Sequence, residues 1–245
     1  MKAADFGLKG NAVLCREKEI NLINRLMDAR KNIVIYGDEG VGKTAIIKEI
    51  ITAKKLKTLY SGKSSTLKEL LTNLVISGSE NRNIKSENIL GLKKMFYRII
   101  DKRKIDYIVI DHAGAVDQKC YYFASYLTDM NLSIVVLCRG LVKKDIGYLR
   151  FLIYNFAKVW MPDYSKSTAD IITDHYIEAF GIKVSDSAMF KRDIFRFSKG
   201  NPRIIRALCR LARNDKYRVQ ERFNVRRMNF DRRFKNIFVH VSLIK

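Results

Sequence analysis

The chain has 245 residues, with 47 Lys and Arg against 25 Asp and Glu, a formal charge of +22. An apolar share of 47% with two prolines excludes wholesale disorder and collagen-like or low-complexity classes. No uncharged apolar run approaches the roughly 18 residues of a membrane span, and Met1-Lys-Ala-Ala-Asp-Phe-Gly lacks the apolar stretch of a secretory signal. A cytoplasmic protein without membrane contact is expected.

In chain order, REKEINLINRLMDAR (16–30) sets Ile20, Ile23, Leu26 and Met27 on one helical face. NIVIY (32–36) is a short apolar run ending at a glycine, hence a buried strand, and a helix follows over 43–54. Leu59-Tyr60 is compatible with a second strand before a helix over 65–77. The polar stretch 77–88 reads as a surface loop, and an amphipathic helix follows over 89–102. IDYIVID (105–111) and NLSIVVLCR (131–139) are apolar runs without alternation, which suits strands buried on both faces of a parallel sheet. A helical segment over 117–130 lies between them. The alternation argues for a three-layer α/β fold. After Val159-Trp160-Met161-Pro162 the pattern turns helical, over 165–180, 185–197 and 201–214. We therefore expect a nucleotide-binding α/β domain over 1–162, a small helical lid over 163–215 and a basic extension over 216–245. Ile237–Ile244 alternates, as a strand or hairpin arm would. Cys15, Cys120, Cys138 and Cys209 are widely spaced, which fits reduced thiols and argues against a zinc site.

The strongest motif is Gly37-Asp38-Glu39-Gly40-Val41-Gly42-Lys43-Thr44, a G-x-x-x-x-G-K-[ST] string between a predicted strand and a predicted helix. Backbone N–H groups of such a loop converge on phosphates, helped by the helix N-terminus. Lys43 would sit on the β/γ-phosphates and the Thr44 hydroxyl would ligate Mg²⁺. In IDYIVID, Asp111 ends an apolar strand, where a carboxylate can hold that Mg²⁺. ATP and Mg²⁺ are the expected cofactors. The guanine-selective N-K-x-D motif is missing, its nearest approach being Val142-Lys-Lys-Asp145, and no acceptor site of a small-molecule kinase is identifiable.

With these motifs and the helical tail, the chain resembles the AAA+ ATPases. It is most similar to the branch that holds origin-recognition initiators, transposition regulators and the STAND signalling ATPases. Val13-Leu14-Cys15-Arg16-Glu17-Lys18-Glu19 resembles the h-h-G-R-E-x-E box that lines the adenine pocket, with Cys15 in place of glycine. Gly200-Asn201-Pro202-Arg203 resembles the G-x-P-R that opens a lid helix. The resemblance implies Val13, Leu14 and Pro202 at the nucleotide, Arg139 as sensor 1, Arg203 as sensor 2, and Arg150 as candidate for the arginine that completes a neighbour's site in a homo-oligomer. The family has Glu directly after the Walker B Asp, and here that position is His112. Hydrolysis is therefore expected to be slow, unless a carboxylate such as Asp117 substitutes.

The charge is concentrated: from Asp186 to Lys245 there are 17 Lys and Arg against 5 Asp and Glu. Arg203, Arg206, Arg210 and Arg213 form one helical stripe beside the apolar Ile205, Leu208 and Ala212. Arg218, Arg222, Arg226, Arg227, Arg232 and Arg233 follow, interleaved with Tyr217, Phe223, Phe230 and Phe234, aromatics that usually belong to a core. Such a field suits backbone contact with DNA, at little sequence selectivity, through Arg206, Arg210 and Arg213. Two readings result: an AAA+ ATPase assembling on DNA to recruit or load a transposase or helicase, or a STAND-type switch that oligomerises without nucleic acid.

Overall fold

The computed structural model describes residues 15–79, 84, 87–114 and 116–241, with residues 235–241 described by their backbone alone. Val13 and Leu14 lie outside the described residues. The chain divides into two compact units: one runs to Glu39 and from Lys43 to Met161, the other comprises Gly40–Gly42 and the chain from Pro162 onward.

The first unit contains α1 (Glu17–Asp28), β1 (Ile33–Tyr36), α2 (Lys43–Lys54), β2 (Thr58–Ser61), α3 (Leu67–Gly78), α4 (Ile89–Lys102), β3 (Tyr107–Ile110), α5 (Gln118–Asp129), β4 (Ile134–Cys138), α6 (Lys143–Ile146), a 3-10 helix (Gly147–Asn155) and β5 (Ala157–Trp160). The five strands form one sheet in the order β2-β3-β4-β1-β5, and every pairing is parallel. Alternate strand residues point to opposite faces. Val34, Ile108, Ile110, Ile134 and Val136 join one core cluster with residues of α3, α4, α5 and the 3-10 helix, while Ile33, Ile35, Val109, Val135 and Leu137 are equally buried outside it. Both sheet faces are thus covered, which makes the fold a three-layer α/β sandwich and explains why these strands read as unbroken apolar runs. At roughly 25 cal/mol per Å² of apolar surface, burial of this kind is the main stabilising contribution to the unit.

Local signals set the helix starts. Thr66 and Glu69 form a reciprocal capping box at α3, and Asn88 and Asp117 accept the Gly91 and Cys120 amides at α4 and α5. The Asp117 carboxylate is therefore engaged as a helix cap. Strand β5 was not evident in the sequence because it is an edge strand with one fully buried residue, Val159, and so has no apolar run.

In the second unit, α7 (Lys166–Ala179), α8 (Ser187–Ser198) and α9 (Pro202–Leu211) pack on one another. A 3-10 turn (Asp215–Tyr217) leads into the two-residue strands β6 (Arg218–Val219) and β7 (Arg222–Phe223), which pair antiparallel, and then into α10 (Val225–Val241), which packs on α8 and α9. The strand expected from Ile237 is corrected here, since residues 237–241 continue α10. Asn224 accepts the Arg227 amide at the start of that helix, and once a helix is nucleated each further residue adds at little cost. Tyr217 is buried, with its hydroxyl on Asp231 at 2.7 Å. Among the described residues no helix is long and apolar enough to cross a membrane.

Candidate nucleotide site

The five strands of the larger sheet being parallel, their carboxyl ends share one rim, where β1, β3 and β4 deliver the loop starting at Gly37, Asp111 and Arg139. The Gly37 amide donates to the Arg139 carbonyl at 3.2 Å, and the Met161 amide donates to Tyr36 at 2.8 Å. A Cβ on Gly37 would meet the Met161 carbonyl oxygen at 2.2 Å, so only glycine fits there. Gly40 sits in the same unit as Arg203, and a Cβ there would come within 2.8 Å of the Arg203 side chain and of Asn201 Oδ1.

Lys43 opens α2 and folds its ammonium back over the loop, with Nζ donating to the Gly37 and Asp38 carbonyls at 2.7 and 2.9 Å. Desolvation lowers the Lys43 pKa, opposed by Cys138, Asp111, Asp38 and Glu39. The next residue, Thr44, donates from Oγ1 to Asp111 Oδ2 at 2.8 Å. That carboxylate is 2% exposed and fully engaged. Its Oδ2 also accepts from the Tyr60 hydroxyl, and its Oδ1 accepts the His112 amide at 2.7 Å. A buried carboxylate is tolerable only with such partners.

Tyr60 was not singled out in the sequence. It stands on β2 opposite Val109 of β3, two residues before Asp111. Burial, then its bond to Asp111, pushes the phenol pKa up, so it remains a neutral donor. The Lys48 ammonium lies over its ring, 5.3 Å from the centroid.

His112 takes a left-handed backbone, φ 52°, and folds its ring toward Asp111, Nδ1 lying 3.1 Å from Oδ1 while the side chain is 60% exposed. Arg139 is 73% exposed and stands 3.7 Å from Asp38 Oδ1. Arg150 lies in the 3-10 helix, exposed, with its guanidinium 4.5 Å from the Phe151 ring centroid. Cys15 adopts φ 55°, the left-handed backbone that glycine takes at no steric cost. Arg16 behind it is buried and paired with Glu19 at 2.9 Å.

The donors at this rim fit Mg²⁺ better than a metal held by protein alone. Among the described residues no cluster of three or more His, Cys, Asp or Glu is placed to bind a metal. A hydroxyl and a carboxylate 2.8 Å apart beside a glycine loop are what a hard cation needs when waters and phosphates complete its shell.

In the second unit Asn201 Oδ1 accepts the Ile204 amide, and Pro202 takes the first helical position of α9, where its missing amide costs nothing. Arg206, Arg210 and Arg213 are exposed, whereas Ile205, Leu208, Cys209 and Ala212 are buried. Among the described residues no carboxylate lies within ion-pair distance of those three arginines. Arg226, Arg227 and Arg233 on α10 are likewise exposed, as are Phe230 and Phe234, whose rings pack 4.6 Å apart. These two aromatics are therefore surface residues of this chain.

No family model matches the chain, and no curated protein matches it in sequence. Solved structures do. Cdc6p from Pyrobaculum aerophilum superposes with a TM-score of 0.64 at 14% identity, over 86% of this chain and 65% of that one. A Walker-type ATPase of Pyrococcus abyssi gives 0.63 at 12%, over 95% and 75%. The replication initiator DnaA, bound to AMPPCP and single-stranded DNA, gives 0.55 at 13%, over 82% and 62%. The chain thus spans about two thirds of the length of these neighbours. At such identities the likeness is one of fold alone: the parallel five-stranded sheet with flanking helices is shared with these proteins.

Proposed function

We propose that this protein is an AAA+ ATPase that binds Mg-ATP and assembles on DNA in a nucleotide-dependent way, to recruit or load a partner such as a transposase or helicase. The observation that carries the nucleotide reading is the Thr44–Asp111 hydrogen bond at the end of a glycine loop that opens a helix. Backbone amides of Gly37–Thr44 bind the phosphates and Lys43 neutralises them, while Thr44 and Asp111 hold Mg²⁺. The ion supplies charge neutralisation on the phosphoryl oxygens. Val13, Leu14 and Pro202 line the adenine; Arg139 and Arg203 sense the γ-phosphate; Arg150 completes the site of a neighbouring copy. In this reading residues 1–162 bind nucleotide, 163–215 are the lid and 216–245 a basic extension, in a cytoplasmic protein.

Turnover is slow in this proposal. His112 stands where a water-orienting carboxylate is expected, with its ring turned toward Asp111, and the Asp117 carboxylate caps α5. The same feature favours the second reading, a STAND-type switch that assembles on ATP without nucleic acid. DNA contact is supported by the unpaired, exposed Arg206, Arg210 and Arg213, and by neighbours in fold of which one is bound to single-stranded DNA.

The test is binding of the purified protein to duplex DNA with ATP, ADP or no nucleotide across a salt series, sized by light scattering. Salt-sensitive binding with assembly only in ATP is expected. Assembly on ATP that is indifferent to DNA would replace the first reading by the second.

A further inference from the structure

Helix α10 packs on α8 and α9 through one side, where Val225, Met228 and Asn229 are buried. The opposite side carries an exposed apolar row. Phe230 is 58% and Phe234 44% exposed, with ring centroids 4.6 Å apart. The helix continues to Val241, and the positions of Ile237 and Val241 fall seven and eleven residues beyond Phe230. Steps of four, three and four residues are those of a heptad seam. At about 100° per residue the row is only about 60° wide. Arg226 and Arg233 border it on one side and Arg227 on the other, all three exposed. Among the described residues no carboxylate lies within ion-pair distance of Arg226 or Arg233. Asp231 is the one carboxylate in the sequence of α10, and it is held by Tyr217 at 2.7 Å and Lys216 at 3.1 Å.

We propose that this side of α10 docks an acidic amphipathic helix of a partner protein. A narrow seam accommodates one helix, whereas a lipid surface takes a broad apolar face. The bordering arginines select a partner that carries carboxylates beside its own apolar row. DNA phosphates would answer the arginines but leave the apolar row in water. A second copy is disfavoured in either direction. Antiparallel copies bring Arg226 and Arg233 against one another, and parallel copies need Asp231, which Tyr217 and Lys216 already hold. The surface is distinct from the α9 arginines assigned above to duplex contact. It gives the recruited partner of the proposed function a chemistry, and rests on that reading for its purpose alone.

The experiment measures fluorescence anisotropy of labelled synthetic peptides on the full chain. The probe is a helical peptide of about three heptads with Leu along its seam and Glu beside it. Its comparators are a scrambled peptide of the same composition, and the same helix with Lys in place of Glu. The Glu helix should bind about tenfold or more tightly than the scrambled peptide, and the Lys helix should not bind. Phe230→Ala with Phe234→Ala should weaken the Glu helix about tenfold or more. Arg226→Glu with Arg233→Glu should transfer the preference to the Lys helix. These positions are exposed, and circular dichroism with thermal melting verifies the fold; if the aromatic pair proves structural, the arginine pair decides. Equal binding of the Glu and scrambled peptides overturns the proposal, as does unchanged Glu-helix affinity in both folded variants. Loss of duplex DNA, of phosphatidylserine vesicles or of self-association in the aromatic variant, with the Glu helix still bound, assigns the face to that occupant and overturns it too. Glu-helix binding without ATP or duplex binding leaves the face standing and removes the proposed function; the converse removes the face alone.

Discussion

The two units of this chain hold their polar side chains in opposite ways. In the sheet unit Asp111 is buried and meets Thr44, Tyr60 and the His112 amide, while Lys43 is partly desolvated against the Gly37 and Asp38 carbonyls. In the helical unit Arg206, Arg210 and Arg213 stand in solvent without a carboxylate among the described residues. The difference follows what each kind of binding proposed above requires. Positioning a metal and a phosphoryl group depends on groups fixed in advance, which water would otherwise screen and reorient. Attraction of a polyanion acts over a Debye length of about 10 Å and tolerates mobile side chains.

The comparison breaks first, and by most, at Lys43. Lys43→Ala should weaken ATP binding by about 100-fold or more, the loss of a desolvated cation facing phosphate, while leaving duplex DNA binding without nucleotide unchanged. Titration calorimetry and anisotropy on one preparation check both halves. The helical unit is addressed by Arg206→Ala, Arg210→Ala and Arg213→Ala together. At about 0.9 per phosphate contact, the slope of log affinity against log salt should fall by about 2.7 for three lost contacts, with ATP affinity unaltered. If the triple variant also loses ATP binding, the division of labour between the units is wrong.

Tyr60→Phe tests how the sheet unit fixes its carboxylate. Removing one donor from buried Asp111 should cost about 1–2 kcal/mol of stability and weaken the Mg²⁺ dependence of ATP binding, with Mg²⁺-free binding unchanged. The phenol pKa is raised above its ordinary 10.0 in the folded state. The stability linked to it is complete below pH 10 and is lost as pH rises through the higher folded value. Denaturant unfolding from pH 8 to 11 should show that loss in the unaltered protein and less of it in the variant. The smallest effect is expected at Cys15, which holds φ 55°. Cys15→Gly should stabilise by about 0.5–1 kcal/mol, the left-handed strain partly offset by glycine's greater freedom when unfolded, and is read as a small rise in Tm.

Most of the sheet unit was legible because its signals are local. The glycine loop and the apolar strands each declare themselves within a dozen residues. Asp111 was legible for the same reason, as the polar end of an apolar run. Tyr60 was not, because its meaning depends on the register that sets it beside Val109, and no local pattern carries that pairing. Strand β5 was hidden by its edge position. The alternation from Ile237 pointed to a strand, but the cap at Asn224 and the packing of α10 on α8 and α9 prevail over a short periodicity. Phe230 and Phe234 show the limit of reading composition: aromatic residues among arginines usually mark a core, and these two are exposed.

Strand β1, which leads into the glycine loop, has β4 and β5 as its neighbours, so Ile33 pairs with Val135 on one side and Ala157 on the other. Both partners leave the ribosome roughly a hundred residues or more after β1 itself. During synthesis this apolar segment therefore waits without its sheet, exposed to wrong pairings, while the helix after the loop can already form. Assembly of the sheet is then governed by distant closures, which are slow and favour transient aggregation. A nascent chain stopped before residue 157 would lack one neighbour of the strand that carries the glycine loop. Nucleotide retention by ribosome-bound chains should accordingly switch on late, after the β5 segment has emerged from the exit tunnel.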